Sequence, residues 1–221
     1  MTLSELQALL ADWYEIDRDD LALPHTEALG ELHPVLAEFY ARLGGLAERD
    51  TPLRHPASHH YPLATQDTIV PVSELRVEDD VTVFAHENQG NFAIGAHIDS
   101  NEALAKGDYL ERSSYAFEPV GVPLEELLVT LVLRETIWSV DDRYAIHADD
   151  AVRRAWGAWE RTGAVQHYEG RYLWTDTPFR FLLTRDEWYS DTVGIASVAF
   201  RGAWREPPSE RRVRIPQTRR L

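Results

Sequence analysis

Histidine is the first residue type that could do chemistry here, because a neutral imidazole serves as metal ligand and general base near neutral pH. His55, His59 and His60 lie close together, in a stretch broken by Pro52, Pro56 and Pro62. A zinc site needs a further ligand and ordered structure to hold it, so these three read as solvated loop histidines. His86 followed by Glu87 starts like a zinc-protease signature, but Gly90 stands where its second histidine belongs. Lys106 is the only lysine, and its acidic, apparently exposed surroundings do nothing to favour the neutral amine that Schiff-base chemistry uses. The pairs Asp79 with Asp80, Asp141 with Asp142 and Asp149 with Asp150 could exchange protons, yet each stands where a turn or a helix cap recruits aspartate. No serine nucleophile elbow, phosphate-binding lysine loop or dinucleotide glycine fingerprint occurs. With no cysteine there is no thiolate nucleophile, disulfide or zinc–thiolate site. The expectation is a chain without catalytic residues, metal or cofactor; the rival is a small metal-dependent hydrolase using His59 or His60 with nearby acids.

Charge speaks more plainly than any motif. In 221 residues, 22 Lys and Arg stand against 37 Asp and Glu, a net charge of −15. Such a surface repels a phosphate backbone, which excludes ordinary nucleic-acid binding, and it steers a basic partner inward. The imbalance is uneven, since the last 21 residues hold seven arginines against Glu206 and Glu210. Pro207, Pro208 and Pro216 deny that tail a continuous amphipathic helix, so a mobile arm or a strap across an acidic body is expected, with no membrane role. The longest apolar run, Leu124 to Leu133, is interrupted by Glu125 and Glu126 and is too short to span a bilayer. Met1 to Tyr14 lacks the basic start of a secretion signal, which together with the missing cysteines points to the cytoplasm.

Such residues need a folded frame, and 44% apolar residues with seven Trp, nine Tyr and seven Phe suffice for one. Thr2 and Glu5 form a capping box ahead of Leu3, Leu6, Leu10 and Trp13 at helical spacing. Pro34 opens a second helix carrying Val35, Leu36, Phe39, Tyr40 and Leu43 and closed by Gly44 and Gly45. A long loop from Ala47 to Gln66 leads to strands at Thr68 to Val72, Val81 to Ala85 and Asn91 to Gly95, the last two joined by a turn at His86 to Gly90. Ala96 to Arg112 reads as a polar connection with Asp99, Glu102, Asp108 and Glu111, and Ser114 to Phe117 as a short strand. Leu124, Leu127, Leu128, Leu131 and Val132 then form the apolar stripe of a core helix. A helix over about Asp150 to Arg161 and short strands at His167 to Asp176, Phe179 to Leu183 and Val193 to Phe200 complete the pattern. This is an α+β fold: a largely antiparallel sheet flanked by helices, a single domain with a carboxy-terminal extension. Its parts are 1–148 as the core, 149–204 as extension or separate subdomain, and 205–221 as the basic tail.

Four segments in order, LAEFYARLGG at Leu36 to Gly45, IVPVSEL at Ile69 to Leu75, VFAHENQGNFAIG at Val83 to Gly95 and PLEELLVTLVLRE at Pro123 to Glu135, resemble the SUKH superfamily. That superfamily unites bacterial immunity proteins with Smi/Knr-type cell-wall regulators, and the resemblance covers about Leu23 to Glu135. The hairpin residues Glu87, Asn88, Gln89 and Gly90 are its most specific element. It implies a non-catalytic α+β protein, without cofactor, that binds and neutralises a cognate toxin. The same four residues equally suit a turn, since Asn and Gly accept positive φ. The chain departs from the family pattern after the hairpin, where Ala96 to Arg112 has no proline.

Acidity and resemblance combine into one functional expectation: an immunity protein covering a basic toxin such as a nuclease by charge complementarity. The expected contact residues are Asp99, Glu102, Asp108 and Glu111, with Glu87. The alternative partner is a cellular protein held by a Smi/Knr-like regulatory scaffold.

Overall fold

In this computed structural model the described residues are 1–14, 17–23, 27–48, 63, 67–109, 112–138, 143–148, 164–167, 170–175, 180–186, 194–201 and 212–214. The histidine loop, Glu111, the expected helix over 150–161 and most of the tail lie outside them. The chain divides into two compact units, Met1–Glu135 and Thr136–Leu221.

In the first unit, α1 (Leu3–Tyr14) begins as its sequence dictates. The Thr2 amide donates to a Glu5 carboxylate oxygen at 2.7 Å and the Glu5 amide donates to the Thr2 hydroxyl at 3.2 Å, closing the capping box. Leu3, Leu6 and Leu10 are buried one turn apart. In α2 (Pro34–Leu43), Pro34 occupies the first turn, where its missing N–H costs nothing, and His33 caps the helix by accepting the Val35 amide at Nδ1, 3.2 Å. Its buried face is Leu36, Phe39, Tyr40 and Leu43, and the Tyr40 hydroxyl donates to the Val70 carbonyl at 2.8 Å. The third helix, α3 (Leu124–Trp138), buries more than the expected stripe, for Val129 and Leu133 are as inaccessible as Leu124, Leu127, Leu128, Leu131 and Val132. Each such side chain is worth about 1.5–3 kcal/mol of burial, which makes α3 the centre of the core.

An antiparallel six-stranded sheet packs into this unit: β1 (Asp67–Ile69), β2 (Arg76–Glu78), β3 (Val81–Glu87), β4 (Phe92–His97), β5 (Glu102–Tyr109) and β6 (Arg112–Pro123). The last four form a meander, and β1 and β2 share the outer edge of β3, β1 against Ala85 to Glu87 and β2 against Val81 to Val83. Between them the Val70 amide still donates to the Phe84 carbonyl at 2.9 Å. A bulge at that point in the β3–β4 pairing accompanies burial of the three successive residues Val83, Phe84 and Ala85, which a regular period of two would not allow on one face. Asp67, at the start of β1, is buried; its carboxylate pairs with Arg134 and its amide donates to Glu135 at 2.9 Å, tying β1 to the end of α3.

The polar connection expected over Ala96 to Arg112 is mostly strand. Within β5 the buried residues Ala103, Leu104 and Ala105 are consecutive and mostly small, and Lys106, Gly107 and Asp108 follow, so the strand shows no period-two hydrophobic pattern. Lys106 accordingly stands in a strand rather than a loop.

The second unit holds its own antiparallel six-stranded sheet, in the order β12 (Arg212–Arg214), β7 (Arg143–Ala148), β11 (Gly194–Arg201), β10 (Arg180–Asp186), β9 (Gly170–Thr175), β8 (Ala164–His167). Strands β8 and β9 pair from His167 opposite Gly170, so Gly170 of the expected turn opens β9, and Glu169 lies outside the described residues. Arg212 to Arg214 of the tail pair with Tyr144 to Ile146, so this part is a sheet strand and not a free arm. The α+β class is as expected.

Candidate functional site

The expected acidic contact residues are not one loop. Asp99 lies in the turn after β4 and Glu102 opens β5, whereas Asp108 lies near the other end of β5. Six residue steps along the strand separate Glu102 from Asp108, about 20 Å at 3.4 Å per residue. That exceeds the screening length of about 8 Å at physiological salt, so the two ends act as separate charged regions. Glu111 lies outside the described residues.

Asp108 joins the hairpin end. Its amide donates to the Asn91 carbonyl at 2.9 Å, and the Asn91 amide donates to the Glu87 carboxylate at 3.1 Å. Glu87 therefore holds the hairpin closed, its carboxylate standing in for a backbone acceptor. Gly90, at φ +77°, supplies the left-handed residue, and the Gly90 amide donates to the Glu87 carbonyl at 3.0 Å. Asn88, Gln89 and Gly90 are exposed at the tip. The family-motif residues thus have a complete local account as a turn, with Asn88 and Gln89 open to solvent.

Asp99 and Glu102 join a different group, which the linear sequence hides. The β2–β3 hairpin closes on the pair Glu78 and Val81, leaving Asp79 (φ 52°) and Asp80 (φ 62°) as a two-residue turn with both residues left-handed. This pair is turn-forming, as its sequence suggested. The Asp80 carbonyl lies 3.0 Å from Nδ1 of His97, at the end of β4, so the turn abuts the β4–β5 connection. Four exposed carboxylates, Asp79, Asp80, Asp99 and Glu102, then share one end of the sheet with Ile98, which is 53% exposed. An open aliphatic side chain at the same sheet end as exposed charges has the anatomy of a small protein-binding patch.

The patch is anchored from below. Asn101 offers its carbonyl to the Leu124 amide at 2.7 Å, fixing the β4–β5 turn to the start of α3. The Leu3 amide donates to Glu125 at 3.1 Å, which brings in α1. His33 is buried beneath the same turn. Burial pushes its pKa below the ordinary histidine value, while a hydrogen bond with the Asn101 side chain and the charge of Asp99 act in the opposite direction. The starts of α2 and α3 thus meet the turn that carries the acid, and α1 is tied to α3, which restricts how far the turn can move.

A second polar site lies on an open face of the sheet. Cross-strand register sets His86 opposite Ala93 and Ala93 opposite Lys106, so the three share a face. With Arg76, Glu78, Asn91 and Phe92 they line a groove of about 450 Å³. Lys106 pairs with Glu78 and lies 5.6 Å from the centre of the Phe117 ring. The hydrogen bond from Lys106, then the charges of Lys106 and Arg76, hold the Glu78 carboxyl below its usual range. Sequence reasoning missed Arg76 and Glu78, since only pairing across three strands brings them to Lys106.

Among the described residues no three His, Asp or Glu side chains are grouped to hold a metal ion, and no helix is long and apolar enough to cross a membrane. Compared with protein-family models, curated proteins and solved structures, the chain matches none of them.

Proposed function

We propose that this is a non-catalytic immunity protein of the cytoplasm that binds and neutralises a cognate, basic protein toxin such as a nuclease. The observation that carries the reading is the patch at one end of the first sheet, where Asp79 and Asp80 of one turn and Asp99 and Glu102 of the adjoining β4–β5 connection are exposed together with Ile98. A net charge of −15 attracts a basic partner from a distance, and the patch offers it local complementarity with an open apolar side chain. Anchoring of the β4–β5 turn on α3 limits the ordering cost that a flexible acidic loop would carry on binding. The resemblance to SUKH proteins, carried by the hairpin at Glu87 to Gly90 and the leucine-rich α3, supports the same reading from the sequence side.

The test is binding to the product of the reading frame beside this gene, followed by calorimetry and by stopped-flow association at increasing salt. Tight binding with an association rate that falls steeply with ionic strength supports the proposal. Double charge reversal, Asp99→Lys with Glu102→Lys, is expected to slow association by about tenfold or more while the far-ultraviolet spectrum stays unchanged. Rates that ignore salt and charge reversal would remove the electrostatic basis. Absence of binding to that product, with capture of a cellular protein instead, would transfer the reading to a regulatory scaffold.

A further inference from the structure

The geometry points to the groove on the open face of the first sheet as a binding site for a single carboxylate, independent of the acidic patch. Its floor is made of small residues. Ala93 lies between His86 and Lys106, and Gly107, at φ +94°, is approached so closely that a Cβ there would sit 2.9 Å from the Phe92 Cα. No side chain can grow from position 107 without moving backbone, so the floor stays open while Arg76, His86 and Lys106 stand around it.

The charges choose the ligand. Lys106 is engaged by Glu78, whereas Arg76 is exposed and makes no hydrogen bond or ion pair with any described residue. Arg76 acts on Glu78 through its charge alone, with no hydrogen bond between them, so its N–H donors can grip one carboxylate through two parallel bonds. A phosphate dianion would bring a second charge that has no free cation to meet it, and the overall charge of −15 repels it more strongly. Ala93, between His86 and Lys106, gives the carbon adjoining the carboxylate a small apolar surface, while the Phe92 ring is set edge-on to Tyr109 with centroids 4.8 Å apart on the other face. The ligand is either a small free acid or an acidic side chain presented by a peptide, both delivering the same group.

Lys106 gives a direct reporter, because it is the only lysine in the chain. Reductive methylation of the full-length protein with ¹³C-formaldehyde places one lysine signal, distinct from that of the amino terminus, at the rim of the groove and leaves its charge intact. Acetate and the blocked peptide acetyl-Gly-Glu-Gly-amide are titrated separately at constant ionic strength, with chloride as the reference anion. The proposal expects a saturable shift of the Lys106 signal with at least one of the two. Saturation by acetate alone or by both assigns a free small acid, and saturation by the peptide alone assigns an acidic side chain. Arg76→Gln is expected to weaken binding about tenfold, since it removes the receiving cation. Glu78→Gln is expected to strengthen it severalfold by freeing Lys106 from its internal carboxylate. Both substitutions are at solvent-accessible positions of a three-residue edge strand, and opposite signs cannot arise from a shared folding defect. A shift that stays linear in both titrations, or that changes in the same direction in the two variants, overturns the inference.

Discussion

Replacing Gly107 by alanine tests whether the close backbone approach between β4 and β5 is real. Two separate costs are expected. A non-glycine residue held at φ +94° costs about 1–2 kcal/mol. The added Cβ would also meet the Asn91 carbonyl carbon at 3.0 Å and the Phe92 Cα at 2.9 Å, both backbone atoms that move only with their strand. Overpacking of that kind costs about a further 1–3 kcal/mol. Gly90 separates the two contributions, because it lies in the β3–β4 hairpin at φ +77° with nothing within 4 Å of a built Cβ. Gly90→Ala therefore carries the conformational cost alone. Hydrogen exchange of the full-length protein, read by mass spectrometry on peptides covering Phe92 to Tyr109, reports both variants in the same amides. The expected loss of protection is about 5- to 30-fold for Gly90→Ala and about 5- to 140-fold more for Gly107→Ala, taking a factor of ten for each 1.4 kcal/mol. Equal losses in the two variants would mean that β4 does not crowd position 107, and the account of the groove floor would fail with it.

Other consequences are open to direct measurement. Burial lowers the pKa of His33, so the folded protein favours the neutral ring and binds fewer protons there than the unfolded chain. The stabilising contribution is then complete above the unfolded histidine value of about 6.5 and is lost as pH falls below it toward the folded value. His33→Asn retains a good cap without the titration, so urea midpoints at pH 5 and pH 7 are expected to differ less in the variant; an unchanged difference would discard this account. Tyr40→Phe leaves the Val70 carbonyl without its 2.8 Å donor in a buried site and is expected to cost about 1–2 kcal/mol in urea unfolding, with no measurable loss counting against that bond.

What was legible in the sequence is what depends on near neighbours. The Thr2–Glu5 box, Pro34 in the first turn of α2 and the hairpin at Glu87 to Gly90 are decided within four residues, and each forms as read. The apolar density of α3 likewise announces a core helix. Strand β5 was missed because its buried residues Ala103, Leu104 and Ala105 are consecutive rather than alternating and are followed by Lys106, Gly107 and Asp108, so it resembles a polar loop until β4 and β6 pair on either side. The edge strand β2 is only three residues long and carries two charges, too short to show any period.

The misplaced chemistry has the same origin, and it shows which inferences about charge a sequence can support. Net acidity survives folding, so the attraction of a basic partner is argued equally well before and after the strands are placed. Local acidity does not survive in the same way. Asp99 and Asp108 are nine positions apart in sequence, yet the strand between them carries one to the Ile98 patch and the other to the hairpin end, beyond effective screening distance. Asp79, some twenty positions from Asp99, is returned to its neighbourhood by a single antiparallel pairing that sets Val81 opposite His97. Pairing also sorts sign as well as distance: Arg76 and Lys106 converge around Glu78 and leave a small cationic site on an acidic protein. A partner steered in by the whole field and a carboxylate gripped by Arg76 are therefore compatible, because the first depends on charge summed over the surface and the second on one guanidinium a few ångströms away.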